Sequence, residues 1–230
     1  MIGVKMPAKS TTWFGEVHGL SAGPVTSVDE RDAVRRMQAR VYADTGATYE
    51  IGRDGTIDDP WVEISHYVAV WGPDRRPLAT LRLIPMSDRS LPTLMNRELT
   101  DEQRCDIELL PYDQLGEIAS LAVDPRGFPP LQVSAHLYRA MFQHAIAHIS
   151  RPIWLASINS ILLRFMTGCM RIPLVVTGPC SSVSGLVAQP TIVDLQQYVT
   201  QAPVQSPRTW RYMTRGMAID PQDKKLLATR

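Results

Sequence analysis

The stretch Gly116-Glu-Ile-Ala-Ser-Leu-Ala-Val-Asp-Pro125 decides the fold. Glu117 to Val123 reads as a strand, its apolar residues alternating in character. Pro125-Arg-Gly-Phe-Pro-Pro130 then breaks the chain. Beyond the break, Leu131, Ala135, Tyr138, Phe142, Ala145 and Ile149 recur at spacings of three and four, which predicts a long helix with one stripe facing a core. Further on, the pattern predicts a strand over 153–157, a helix over 159–170 and a strand over 173–177. A flexible connection over 181–189 and a last strand over 191–199 follow.

Working back from the same strand, residues 86–115 form a long excursion that is helical around 96–105. Before it, Tyr67-Val-Ala-Val-Trp71 and Leu78-Ala-Thr-Leu-Arg-Leu-Ile84 flank Gly-Pro-Asp-Arg-Arg-Pro, a hairpin signal. The loop over 50–60 is rich in Asp and Gly. Ser27-Val-Asp-Glu30 is a capping box, in which a hydroxyl serves one orphan amide and a glutamate reaches back to another. The helix it opens places Val34, Met37 and Val41 on one face and Arg31, Arg35, Arg36 and Arg40 on the other, and it stops before Gly46. Helices alternating with strands of one mixed sheet give an α/β three-layer domain. Residues 1–26 read as an irregular arm, 27–202 as the domain and 203–230 as a basic tail or docking element.

Composition narrows the class. With 44% apolar and 20% charged residues in 230, the chain can bury a large core. The net charge of +1 is unevenly spread: residues 203–230 carry +4, leaving −3 for the rest. Any attraction to nucleic acid is thus local, and no nucleic-acid partner is expected. Cys105, Cys169 and Cys180 are odd in number and lack Cys-x-x-Cys spacing, which argues against a disulfide framework and a thiolate zinc site. No apolar run approaches the roughly 20 residues that span a bilayer, and no cleavable leader is evident, so a soluble, cytoplasmic protein without a membrane partner is expected. His144 and His148 stand one helical turn apart, yet no third ligand accompanies them. They read, with His136, as helix-surface groups, and no metal is expected. Cys180-Ser-Ser182 lacks a placed base and reads as a loop. Trp210, Met213 and Met217 recur at helical spacing among Arg208, Arg211 and Arg215, the pattern of a C-terminal element docking its aromatic face on the domain.

Three patterns, taken with this order of elements, resemble the GNAT acyltransferase superfamily, and within it the autoinducer (acyl-homoserine-lactone) synthases and N-acyl amino acid synthases. They are Arg82-Leu-Ile-Pro85 followed by Leu91-Pro92, the strand Glu117-Ile-Ala-Ser-Leu-Ala-Val123, and Asp58-Asp59 shortly before His66-Tyr67. The likeness runs over roughly residues 28–200. It implies a GNAT-like three-layer domain that transfers an acyl group from a thioester to an amine. The implied oxyanion donors are backbone amides around Leu121, Ala122 and Val123, next to Ser120. Glu117 is implied as base or ammonium-binding group, with an ion pair to Arg82 as the alternative. Arg82 would bind an acceptor carboxylate or pair internally, and Asp59 would bind the acceptor ammonium or sit in a solvated turn. An apolar acyl pocket would run from Leu121 and Val123 towards Phe128, Phe142 and Phe165.

The departures from the family sharpen this reading. The family has Arg where Ser120 stands, Arg where Gln38 precedes Tyr42, and in many members a tyrosine acid where Arg164 precedes Gly168. Pro129 and Pro130 each remove an amide from the turn where coenzyme A users cradle a pyrophosphate. The resemblance therefore points to acyl carrier protein as donor, its acyl-phosphopantetheine thioester a co-substrate and no cofactor tightly bound. Arg31, Arg35, Arg36 and Arg40 are a docking patch for it, or a solvated face. An amino acid is the expected acceptor. A homoserine-lactone synthase using S-adenosylmethionine and a non-catalytic acyl-binding protein are the alternatives.

Overall fold

Helix α1 (Val28–Asp44) starts at the capping box, with Ser27 Oγ accepting from Glu30 N at 3.1 Å and the Glu30 carboxylate returning to Ser27 N. In the computed structural model, residues 19–88, 90–149 and 151–217 are described. Eight strands form one mixed sheet in the order β1-β2-β3-β4-β5-β8-β6, with β7 hydrogen-bonded to β8 off that path. They are β1 (Ser21–Pro24), β2 (His66–Trp71), β3 (Pro77–Pro85), β4 (Leu115–Val123), β5 (Ile153–Ile158), β6 (Leu174–Val176), β7 (Ser181–Val183) and β8 (Leu186–Asp194). Among the described residues only β4 and β5 pair in parallel; the other strand pairings are antiparallel.

Both faces of the sheet are covered, which is why β3 reads as an almost unbroken apolar run and is buried nearly throughout. On one side α1 packs Val34 against Tyr67, Ala69 and Trp71. The short helices α2 (Pro92–Asn96) and α3 (Asp101–Glu108) of the excursion seal Ile84, Leu115 and Leu155 on the same side. On the other side lies α4 (Pro130–His144), extended by a π-turn over Ala145–Ile149. Its buried Val133, Leu137, Tyr138, Met141 and Phe142 join the main core with α5 (Ser160–Arg164) and the π-turn that follows it.

Four expectations change. Residues 21–24 are not an irregular arm: they hydrogen-bond along the open edge of β2, where a short strand containing glycine and proline is tolerated. Residues 1–18 and 218–230 lie outside the described residues. The connection over 181–189 is a hairpin, β7–β8, closed by Ser184 and Gly185, both with φ near +50° to +80° as a tight two-residue turn requires. The last strand ends at Asp194, whose side chain caps a helix by accepting from Gln197 N at 2.9 Å. That helix, α6 (Leu195–Gln205), buries Leu195, Tyr198, Val199 and Ala202, a three-four spacing that outweighs the β-branched character of Val199. Finally, His144 is half-buried rather than on a solvated face. Its ring lies 5.5 Å from that of His66 and 4.9 Å from that of His148.

Helix α7 (Pro207–Thr214) docks on α4 as the apolar spacing of its sequence implies. Phe142, Tyr198 and Trp210 meet edge to face at 5.7–6.2 Å, and Gln143 Nε2 donates to the carbonyls of Met213 and Arg215. No helix among the described residues is long and apolar enough to cross a membrane.

Two predictions follow from this packing. A Cβ at Gly116 would fall 2.5 Å from the ring of fully buried Trp154, its partner on β5, so Gly116→Ala should destabilise by about 1–3 kcal/mol in denaturant unfolding. Burial and the neighbouring imidazoles lower the His144 pKa from its ordinary 6.5 to about 4. The unfolded chain therefore binds more protons than the native one between those values, and stability should fall as pH drops from 6.5 towards 4. Thermal unfolding of His144→Phe across that window should show a shallower decline than the parent.

Candidate active site

The β4–β5 ladder is incomplete. It pairs Leu115 with Ile153 through Ile118 with Ala156 and stops, although both strands continue. At the same level the β3–β4 register slips, Arg82 opposing Ala119 and Thr80 opposing Ala122, so β4 carries one extra residue. Ser120 absorbs it with φ +58°, an unfavourable conformation for a residue with a Cβ. From Ser120 to Val123 the β5-facing side of the backbone has no strand partner. A cavity of about 610 Å³ passes through this gap from one face of the sheet to the other.

On the α1–α2 face the cavity is polar. Glu117, 3% exposed, accepts from Thr93 N at 2.8 Å and from Thr93 Oγ1 at 3.0 Å. Thr93 Oγ1 also lies 2.9 Å from Ser157 Oγ. With the Thr93 proton committed to the carboxylate, Ser157 donates to Thr93, which makes a hydroxyl relay. Desolvation raises the Glu117 pKa to about 7 against the opposing pull of the Thr93 bonds. Such a carboxylate exchanges a proton near neutrality.

The expected alternative of a Glu117–Arg82 ion pair is not formed. Arg82 pairs with Asp59 at 2.5 Å and donates to Tyr67 Oη at 3.4 Å. Burial works against its charge, but Asp59 and Tyr67 more than offset this and raise its pKa. Asp59 is no solvated turn residue either, since its second oxygen accepts from Trp61 N at 2.9 Å. Arg97 was not singled out from the sequence. It follows α2 directly, lines the cavity and donates to the Ser181 carbonyl, to Ser181 Oγ at 3.0 Å and to the Leu186 carbonyl at 3.3 Å. It thereby pins β7–β8, including the Cys180-Ser-Ser182 stretch read as a loop, against α2.

On the α4 face the cavity is apolar. Ser120, Leu121, Ala122 and Val123 line the passage, and Phe142 lines the far side. Phe128 and Phe165 do not line it: Phe128 packs in the turn after β4, and Phe165 lies behind Tyr138 with ring centroids 6.3 Å apart. Their places are taken by Tyr138, Met141, Met166, Tyr198 and Met213. The helical spacing of Leu131, Tyr138 and Phe142 was a sign of the α4 wall. Nothing local in the sequence says that α6 and α7 close the far end.

At the open end of β4, Asp124 accepts from Arg40 at 2.7 Å and from Arg126 at 2.8 Å, leaving local positive charge. Of the other arginines on α1, Arg31 pairs with Glu63, Arg35 donates to the Ile57 carbonyl and Arg36 is exposed. Helix α4 begins at Pro130 after Pro129, without a side-chain cap. No group of three or more His, Cys, Asp or Glu able to hold a metal occurs among the described residues.

No family model and no curated protein matches this sequence. Solved structures do. FeeM, an N-acyl amino acid synthase from uncultured soil microbes, is 17% identical with a TM-score of 0.57, covering 79% of this chain and 93% of its own. The acyl-homoserine-lactone synthase LasI is 11% identical with a TM-score of 0.59, covering 76% and 89%. BjaI, a coenzyme A-dependent acyl-homoserine lactone synthase solved with SAM and isopentyl-CoA, is 15% identical with a TM-score of 0.58, covering 88% and 97%. The mixed sheet opened between β4 and β5, with helices on both faces, is the GNAT-like fold that this chain shares with those synthases.

Proposed function

We propose that this chain is an N-acyltransferase that moves an acyl group from a carrier-protein thioester to the amine of a small acceptor such as an amino acid. One observation carries the reading: a single cavity runs through the gap in the sheet, with buried Glu117 on one side and an apolar chamber on the other. The acyl chain would fill the chamber, its carbonyl lying at the gap. The acceptor would sit among Arg82, Asp59 and Arg97.

The chemistry is balanced with these groups alone. Glu117 takes a proton from the acceptor ammonium, directly or through Thr93 and Ser157. The freed nitrogen attacks the thioester carbon, and amides of the Ser120–Val123 segment stabilise the oxyanion. As the C–S bond breaks, the nitrogen gives up its second proton and the departing thiolate takes it, while Glu117 returns the first to solvent; a thiol with a parent pKa of about 8.5 needs no strong acid. The guanidinium groups of Arg82 and Arg97 suit an acceptor carboxylate.

The prolines at 129 and 130 support a carrier protein over free coenzyme A, because they leave few amides for a pyrophosphate. Arg40 and Arg126 border the open end of β4 through Asp124, exposed Arg36 stands one turn before Arg40 on α1, and together they suit an acidic carrier. S-adenosylmethionine as acceptor is the second reading, favoured by the likeness to BjaI, solved with SAM, and by the carboxylates of Asp58, Asp59 and Glu117 that line the cavity. Thiol release with carrier-borne donors against an acceptor panel separates the readings. Release with amino acids supports the first, release with S-adenosylmethionine alone the second, and none with any acceptor would sink both.

Because the base must be unprotonated, the rate should fall as pH drops through about 7, and Glu117→Gln should lose roughly a hundredfold in kcat together with that limb. Charge reversal at Arg36 and Arg40 together should lower kcat/KM for the carrier-borne donor about tenfold more than for the same acyl group on pantetheine alone.

A further inference from the structure

Two phenols stand in the apolar chamber. Tyr138 from α4 and Tyr198 from α6 both line it, both are 2% exposed, and both hydroxyls are buried without a hydrogen-bond partner. Buried hydroxyls are rarely left so, and phenylalanine would fill either place at no polar cost. Aromatic packing holds the rings: Tyr138 against Phe165 at 6.3 Å, and Tyr198 against Phe142 at 5.7 Å and Trp210 at 6.2 Å. Burial pushes both phenol pKa values up, so each hydroxyl remains a neutral donor.

Their position relative to the gap follows from the sheet register. The ladder opens beyond Ile118 and Ala156, where the thioester would lie. Asp194 pairs with Ile153, which pairs with Leu115, so β8 hands over to α6 at the opposite, closed end. Tyr198, in the first turn of α6, is therefore remote from the reacting carbonyl. A trapped water is a poor occupant here, because it needs two to four polar partners and the walls are Met141, Leu162, Met166, Leu195 and Met213.

Resting on the acyltransferase reading of the cavity, we propose that the acyl group carries a hydrogen-bonding oxygen remote from the thioester, received by the hydroxyls of Tyr138 and Tyr198. A terminal or distal hydroxyl, a ketone and a ring phenol share this chemistry, and matched ligand pairs tell the aliphatic source from the aromatic one.

The test is equilibrium binding to the full chain, by calorimetry, of ω-hydroxydodecanoic against dodecanoic acid and of para-hydroxyphenylpropanoic against phenylpropanoic acid. In at least one pair the oxygen-bearing member should bind about fivefold tighter or better. Tyr138→Phe and Tyr198→Phe should each shrink that ratio, and the double variant should abolish it. Neither variant should lower the melting temperature, since no protein partner is lost. Equal binding in both pairs, no binding at all, a ratio that survives in the double variant, or a clear loss of stability in both single variants would each overturn the inference. A preserved binding preference with no thiol release from any donor and acceptor would sink the transferase reading while leaving this inference standing. Release without any preference would do the reverse.

Discussion

The ladder between β4 and β5 stops halfway, and the rest of the site depends on that stop. A parallel pair that continued to Val123 and Ile158 would close the sheet and separate its two faces. Instead the extra residue at Ser120 swings β4 aside. The cost is a strained backbone and a run of peptide groups without strand partners, tolerable only where something else uses them. The gap also lets a polar pocket and an apolar one, which would otherwise lie on opposite sides of a packed sheet, become one cavity.

Electrostatics on the polar side follow from burial and from how the charges are partnered. Arg82 and Asp59 pair with one another, while Glu117 has hydroxyl and amide donors and no direct cation. That difference explains their opposite behaviour. The paired guanidinium is held charged, whereas the carboxyl that must lose hydration without an ion pair keeps its proton up to about pH 7. Had Glu117 paired with Arg82, it would be a fixed anion and a poor proton acceptor.

The frame of this site was legible because strands and helices write their periods into the chain. The strand 117–123, the hairpin around Pro77, the capping box at Ser27 and the stripe of α4 all stand where local pattern puts them. The failures have two causes: in some the deciding partner lies far away in sequence, and in β7–β8 and α6 a local turn or cap outweighs the composition of the segment. Ser21–Pro24 becomes a strand because β2 offers an edge, and the β7–β8 hairpin is fixed in place by Arg97, more than eighty residues before Ser181. Phe165 and Phe142 carry the same side chain, yet only Phe142 faces the cavity, and periodicity does not tell the two apart. Residue type likewise did not reveal which cation Glu117 would lack.

The cavity's passage through the sheet divides the labour of recognition along the chain. Apart from Ser157, Asn159 and Ser184, the polar groups on that side, from Gln38 to Glu117, precede the turn at Asp124; the apolar wall from Tyr138 to Met213 follows it. Two consecutive lengths of polypeptide thus read two different parts of the reacting pair and meet at one strand. Drift in the wall residues of the later length can reshape the chamber so long as Ser157 keeps its bond to Thr93 and Arg97 its grip on β7–β8. A scaffold wired in this way can diversify its products one component at a time.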